Sequence, residues 1–279
     1  MKKTIGDAKI PILGFGTWQL QGKECLKAVE TALEVGYRHL DTADAYENHQ
    51  EVAKAMKNSG VKREEIWLTT KLWRSDLQAK KTMKACDRVL QELQTDYLDL
   101  YLIHWPNKEV PIGETLEAMT KLQEEGKIRN IGVSNFTIHH LEDATIALKA
   151  MWQATGKEAK IITNQVEFHP TLNQESLKKF CNDNEIIVTA YSPIAQGYDL
   201  KLPVVKELAK NYGRSESQVV LNWLMQKEIV AIPRSSSRDH IEDNFKSLEW
   251  DLSAEDVNIL DGLDEGYRIV EPEFNEFDY

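Results

Sequence analysis

The sequence predicts an α/β fold, a (β/α)8 barrel, and three observations carry the prediction. Eight short apolar runs recur along the 279 residues, segments with helical spacing of apolar residues separate them, and run after run ends on a polar side chain. A strand enclosed on both faces should read apolar throughout, so polar endings need a common place to meet. In a parallel barrel the C-terminal strand ends do meet, at one face.

In chain order, TIGDAKI sets a Gly-Asp pair between β-compatible segments and reads as a hairpin ahead of the barrel, plugging its bottom. The eight runs are ILGFGTW (12–18), YRHLDTA (37–43), IWLTTKLW (66–73), YLDLYLIHW (97–105), IRNIGVSNF (128–136), IITNQVEF (161–168), IIVTAYS (186–192) and EIVAIPRS (228–235). Leu26, Val29 and Leu33 recur at helical spacing after the first run, and Met83, Cys86, Leu90 and Leu93 do so after the third. Each such face needs a sheet to cover. The repeat is roughly thirty residues, the length of a βαβ unit. An open dinucleotide-binding sheet would carry GxGxxG after its first strand, whereas the first run reads GFGTWQ, which favours the closed barrel. Val204 to Tyr212 and Glu216 to Gln226 both read as helices, so one crossover holds an extra helix. After Leu263 the tail EGYRIVEPEFNEFDY loses periodicity while displaying Tyr267, Phe274, Phe277 and Tyr279; lying over the barrel mouth, packing elsewhere or fraying all fit it. No linker or composition shift interrupts the series, so residues 1–279 are expected to form a single barrel domain.

Composition bounds the rest. Apolar residues make up 42% and charged ones 28%, as in a folded soluble chain. A net charge of -11 argues against nucleic-acid or anionic-membrane surfaces, which are bound by clustered Lys and Arg. Cys25, Cys86 and Cys181 are far apart and odd in number, suggesting neither disulfides nor a thiolate zinc site. The start MKKTIGDAK turns polar before a leader peptide could form. A cytoplasmic protein is expected.

The polar run ends are Asp41, Lys71, His104, Ser134 with Asn135, Gln165, Tyr191 and Arg234, and Tyr46 stands in the loop just beyond Asp41. Singly, each has a structural explanation: a cap, a surface lysine, a satisfied core histidine, a rim tyrosine. An acid, a lysine and a histidine on consecutive strand ends beside a tyrosine form a workable proton-donor site. A free phenol has a pKa of about 10, and a buried ammonium favours its phenolate. Lys71 is therefore expected to lower the Tyr46 pKa, with about two units requiring about 2.7 kcal/mol. Asp41 would neutralise Lys71, and His104 would hydrogen-bond the substrate oxygen or share the proton. His139 and His140 lack a third ligand at metal spacing and read as a helix start, so no metal is expected. Glu167 and His169 read as loop structure.

GYRHLDTADAYEN, TTKLW, LIHWP, GVSNF, NQVEFHP, AYSPIAQG and IPRSSSRDHIEDNF, in this order from about Ile10 to about Asp264, resemble the aldo-keto reductase superfamily. The short loops and the ending YRIVEPEF look most like its compact microbial branch, which includes 2,5-diketo-gluconate and methylglyoxal reductases. The resemblance implies a barrel that reduces carbonyls with a nicotinamide cofactor and no metal. Tyr46 would be the general acid, with Lys71, Asp41 and His104 completing a tetrad. Ser134, Asn135 and Gln165 would hold the nicotinamide carboxamide and Tyr191 would stack on the ring, while Ser192, Arg234, Ser235 and Asn244 match positions along the phosphates and adenosine. Arg234 stands where the pattern has lysine, and His240 where it has arginine. Arg234 can grip a 2′-phosphate bidentately, His240 is a weaker partner, and Arg238 is a candidate substitute. NADPH is the expected cofactor, with NADH as an alternative. His49 and Ala53 replace an acidic residue and a glycine, with little chemical consequence expected. Trp18, Trp73 and Trp105 follow strand ends and would line a mouth suited to small carbonyl compounds with some apolar surface.

The expected protein is a monomeric reductase of small aldehydes or ketones. Its rivals are a non-catalytic cofactor-sensing or structural protein on this fold and a Schiff-base aldolase using Lys71.

Overall fold

A computed structural model describes residues 4–279; the first three, which enter both the leader reading and the single-domain span, lie outside the described residues. Thr4–Ile5 (β1) and Ile10–Pro11 (β2) pair antiparallel around a turn in which Gly6 takes φ +69° and its carbonyl accepts from the Lys9 N–H at 2.9 Å. Then come β3 (Phe15–Gly16), α1 (Gly22–Val35), β4 (His39–Asp41), α2 (His49–Ser59), β5 (Trp67–Leu72), α3 (Ala79–Leu93), β6 (Leu100–Ile103) and α4 (Ile112–Glu124). The second half runs β7 (Ile131–Ser134), α5 (Ile138–Thr155), β8 (Ile161–Glu167), α6 (Glu175–Asp183), β9 (Ile187–Tyr191), α7 (Pro203–Tyr212), α8 (Glu216–Gln226), β10 (Val230–Ala231), α9 (Arg238–Phe245) and α10 (Ala254–Asp261).

Each of the eight apolar runs contains one strand, and β3 to β10 pair in chain order, every pair parallel. The ring then closes. Leu13 bridges Ala231 in parallel, with the Gly14 N–H donating to the Ala231 carbonyl at 2.8 Å and the Ala231 N–H to that of Ile12 at 2.9 Å. The last strand is shorter than its run because Pro233 has no N–H with which to continue the ladder. α7 and α8 occupy the crossover before β10, as the two helical patterns predicted.

The helices lay their apolar faces on the sheet: Cys25, Val29 and Leu33 of α1 and Cys86, Leu90 and Leu93 of α3 are all buried. At the N-terminal strand ends, Ile10 of the hairpin packs on Val230 and Ile232, flanked by Ile5, Trp67, Ile162 and Ile187. The hairpin therefore closes the bottom of the barrel and leaves the opposite face for chemistry. All three cysteines are buried and unpaired, and burial pushes each thiol up to about 12. Among the described residues no helix is long and apolar enough to cross a membrane.

Gly132, inside β7, shows how tightly the ring is filled. A Cβ there would stand 2.5 Å from Leu102 Cδ2 and 2.9 Å from Thr163 Cγ2, on the strands to either side. Overpacking of this kind typically costs about 1–3 kcal/mol. Gly132→Ala is expected to lower the urea-unfolding free energy by that amount with the slope unchanged; an unaltered midpoint would contradict this packing.

Candidate active site

The sheet register assembles the site. Asp41, the last residue of β4, pairs with Thr69, and Lys71 lies two residues further along β5, so both project from the same face. Tyr46 ends a 3-10 turn, Asp44–Tyr46, that follows β4 at once. Two contacts fix that turn. Arg88 of α3 grips Asp44 with two hydrogen bonds of 2.6 and 2.7 Å. Buried Asn48 donates to the carbonyls of Thr17 and Leu20 at 2.9 and 3.0 Å and accepts from the Thr42 hydroxyl at 2.7 Å. Neither role is legible in the sequence, because Arg88 comes from α3 and the Thr17 and Leu20 carbonyls from the segment after β3.

Three acceptors surround the Lys71 ammonium: Asp41 Oδ1 at 2.5 Å, the Thr42 carbonyl at 3.0 Å and Tyr46 Oη at 3.3 Å. Asp41 Oδ2 in turn accepts from Gln165 Nε2 at 2.7 Å. The ion pair is almost completely buried, with 1% and 2% of its side-chain surfaces exposed. The Tyr46 and His104 rings meet edge-on with centroids 5.7 Å apart, so all four predicted groups converge.

Burial works against the Lys71 charge, but Asp41 and the Tyr46 oxygen more than offset it and hold the lysine pKa above its ordinary value. Burial and the neighbouring Lys71 charge push His104 well below the usual histidine range. It is neutral at pH 7, and its Nδ1 is buried with no hydrogen-bond partner among the described residues. For Tyr46 the expectation of a lowered pKa is corrected. Burial raises it, Lys71 lowers it by less, and Asp41 adds to the rise, so the net shift is upward. The carboxylate already balances much of the ammonium charge, and desolvation of a phenolate decides the sign.

Beside the tetrad stands a second polar group. Ser134 donates through Oγ to the Gln165 carbonyl at 2.8 Å, Asn135 donates to the His104 carbonyl at 3.0 Å, and the Tyr191 hydroxyl donates to Asn135 Oδ1 at 2.8 Å. Asn135 adopts φ +63°, a left-handed conformation that asparagine tolerates better than most residues. Amides and a hydroxyl that both donate and accept, next to an aromatic ring, have the chemistry a carboxamide-bearing heteroaromatic ring requires, so these residues fit a nicotinamide. Ser192 follows β9 in a left-handed conformation. Ser235 and Asn244 are buried beyond β10, whereas Arg234 and His240 are exposed. Arg234 donates to Gln19 Oε1 at 2.7 Å. Arg238, the candidate substitute, is already paired with Glu34 at 2.5 Å and Glu242 at 3.1 Å.

Trp73 packs edge-on against His104 at 5.2 Å, and Trp105 is buried nearby. Trp18 sits further out, 40% exposed. The tail docks on this wall: Phe274 lies edge-on to Trp73 at 5.7 Å and to Trp105 at 5.4 Å, which settles its placement over the mouth. His49 is buried between Glu92 (2.8 Å) and Thr70 (3.0 Å). Asp44, His49 and Glu92 bring three potential ligand atoms together, but Arg88 already occupies Asp44. His140 opens α5 in a capping box with Thr137, in keeping with the helix-start reading. Glu167 is corrected from loop structure, since it ends β8; His169 lies in the loop just beyond, and the two are fully buried in a hydrogen-bonded pair.

A closed parallel barrel with an acid, a lysine, a tyrosine and a histidine gathered at its C-terminal face has the architecture of a barrel enzyme. The model of the Aldo/keto reductase family matches residues 12–265. The chain belongs to that family and is an oxidoreductase. It is 42% identical over 265 residues to 9,11-endoperoxide prostaglandin H2 reductase of Trypanosoma cruzi, covering 94% of this chain and 90% of that one. It is 39% identical to methylglyoxal reductase DkgA of Escherichia coli K12, covering 93% and 92% respectively. A crystal structure of a putative 2,5-diketo-D-gluconic acid reductase B superimposes with TM-score 0.91 at 33% identity over 98% of this chain and 95% of that one.

Proposed function

We propose that the chain reduces small aldehydes or ketones to alcohols with NADPH, accepts NADH less well, and uses Tyr46 as the proton donor. One observation carries the role of Tyr46. An ammonium has donors only, so in the contact between Lys71 and Tyr46 the phenol oxygen is the acceptor. The phenol's own hydrogen is thereby directed at another acceptor, and a substrate carbonyl oxygen is suited to that place.

When bound, the nicotinamide supplies a hydride to the carbonyl carbon. The chain's residues manage the oxygen. Tyr46 hydrogen-bonds it and delivers a proton as negative charge develops, and its raised pKa keeps the phenol protonated until then. Lys71 stabilises the phenolate left behind, Asp41 holds Lys71 charged and in place, and neutral His104 orients the oxygen. Trp73, Trp105 and Phe274 keep water away. The Schiff-base alternative finds no support, because an ammonium held above its ordinary pKa by a carboxylate has no lone pair to offer. With Arg238 neutralised by Glu34, Arg234 is the cation left for a 2′-phosphate, which favours NADPH only modestly. We further propose that residues 1–279 act as a single barrel domain, as a monomer and in the cytoplasm.

Tryptophan fluorescence titrated with NADPH and NADH, followed by a panel of sugars, keto acids and dicarbonyls, tests the reading. Both cofactors are expected to quench, with NADPH bound about tenfold more tightly, the equivalent of about 1.4 kcal/mol. No response to either cofactor would overturn the proposal, and tight binding without turnover across the panel would leave a cofactor-binding protein in place of a reductase.

A further inference from the structure

His169, just beyond β8, is fully buried, and both of its ring nitrogens have partners. Nε2 lies 3.0 Å from Glu167 Oε1 and Nδ1 lies 3.0 Å from the Thr171 hydroxyl, with Asp199 Oδ2 3.3 Å from the same nitrogen. The Thr171 hydroxyl is 2.7 Å from Asp199 Oδ1. A carboxylate accepts and cannot donate. Thr171 therefore gives its hydrogen to Asp199 and must accept from an N–H at His169 Nδ1. Glu167 is likewise an acceptor on both oxygens, since it takes the backbone N–H groups of Ile269 at 2.8 Å and Val270 at 2.9 Å. It must accept from an N–H at Nε2 as well. With both carboxyl groups ionised, satisfying these hydrogen bonds leaves a hydrogen on each ring nitrogen, which makes His169 an imidazolium.

The same loop grips the tail twice. Thr171 accepts through its carbonyl from the N–H groups of Glu265 at 3.2 Å and Tyr267 at 3.0 Å, while Glu167 holds Ile269 and Val270. Four residues further on, Phe274 meets Trp73 and Trp105 at the wall of the mouth.

We propose that His169, as a buried imidazolium, is a positioning residue whose proton latches the C-terminal tail over the mouth, so that losing this proton at alkaline pH releases the tail and weakens substrate binding. The effect on substrate rests on the reductase reading; the latch does not. Burial opposes the charge on His169, but Asp199 and Glu167 raise its pKa above the ordinary value. Its contribution is therefore present through neutral pH and is lost as pH rises through that raised value. The charged and titratable groups around it are Glu167 on β8, Asp199 in the turn 199–201, Tyr191 opposite Glu167 on β9, and Arg268 and Asp264 on the tail. Burial pushes the Tyr191 phenol far up, so His169 changes charge first.

Amide hydrogen exchange of the segment 264–273, corrected for intrinsic rates and followed from about pH 6 to about pH 9.5, reads the latch without activity. Wild-type protection at Ile269 and Val270 is expected to fall by about tenfold or more across this range. His169→Gln is expected to be weakly protected and flat with pH, whereas Glu276→Gln, which alters the tail's other anchor at His140, keeps the wild-type course. Flat wild-type protection would overturn the proposal, as would a His169→Gln protein with the wild-type course. Should that variant fail to fold, Asp199→Asn, which keeps an acceptor for Thr171 but removes a charge that raises the His169 pKa, is expected to move the midpoint to lower pH; an unmoved midpoint overturns the latch. KM for a carbonyl substrate is expected to rise with the same midpoint while kcat changes little. A flat KM beside a normal exchange profile would sever the latch from the site.

Discussion

A Tyr46→Phe protein is expected to fold, to bind NADPH as the parent does and to lose carbonyl-reducing turnover by about a hundredfold or more. The ring that packs on His104 is kept, so the shape of the site survives. What disappears is the one hydrogen directed away from Lys71. Because the proton moves only as charge develops on the carbonyl oxygen, the loss should fall mainly on kcat, with KM changed little. A hundredfold corresponds to about 2.7 kcal/mol of transition-state stabilisation, within the range of a single positioned acid. Steady-state kinetics beside a fluorescence titration separates the two effects. Full turnover in this variant would remove Tyr46 from the mechanism and leave His104 as the remaining candidate.

Much of the barrel can be read from the chain because its signals are local. The alternation of apolar runs with helical faces, and the polar residue that ends each run, involve neighbours in sequence, and the strands fall inside the predicted runs. The site was legible for the same reason: Asp41, Lys71 and His104 each end a run. Long-range relations were hidden. The direction of the Tyr46 shift depends on how completely the phenol is desolvated and on Asp41 acting from the far side of Lys71, neither of which spacing reveals. Glu167 and His169 looked like ordinary loop residues, since distant partners define them: Asp199, on the far side of α6 and β9, for His169, and Ile269 and Val270, 102 and 103 residues on, for Glu167. An irregular tail carries no periodicity to say where it docks. Trp73 and Trp105 provided the surface, and the parallel pairing of β5 with β6 brings them to the same rim.

Removing Asp41 is expected to have the largest effect on stability. In wild type the Lys71 charge is buried beside a carboxylate 2.5 Å away, with the Thr42 carbonyl and the Tyr46 hydroxyl taking its other hydrogens. Asp41→Ala would leave that ammonium with two neutral acceptors and no counter-charge, and would also strip Gln165 Nε2 of its partner. Breaking one side of a buried pair typically costs about 3–5 kcal/mol, much more than the intact pair contributes over an apolar replacement. Two further results follow from this cause. The penalty should shrink as pH rises, because an unpaired buried lysine has a depressed pKa and its unfolded state then binds more protons than the folded one. Adding Lys71→Met to Asp41→Ala should restore most of the lost stability, since no charge is left behind, yet restore no turnover, since nothing remains to stabilise the Tyr46 phenolate. Urea unfolding of the two variants across pH checks both results. A double variant as unstable as the single one would place the cost in the lost packing and the Gln165 contact, and the stranded charge would no longer be its cause.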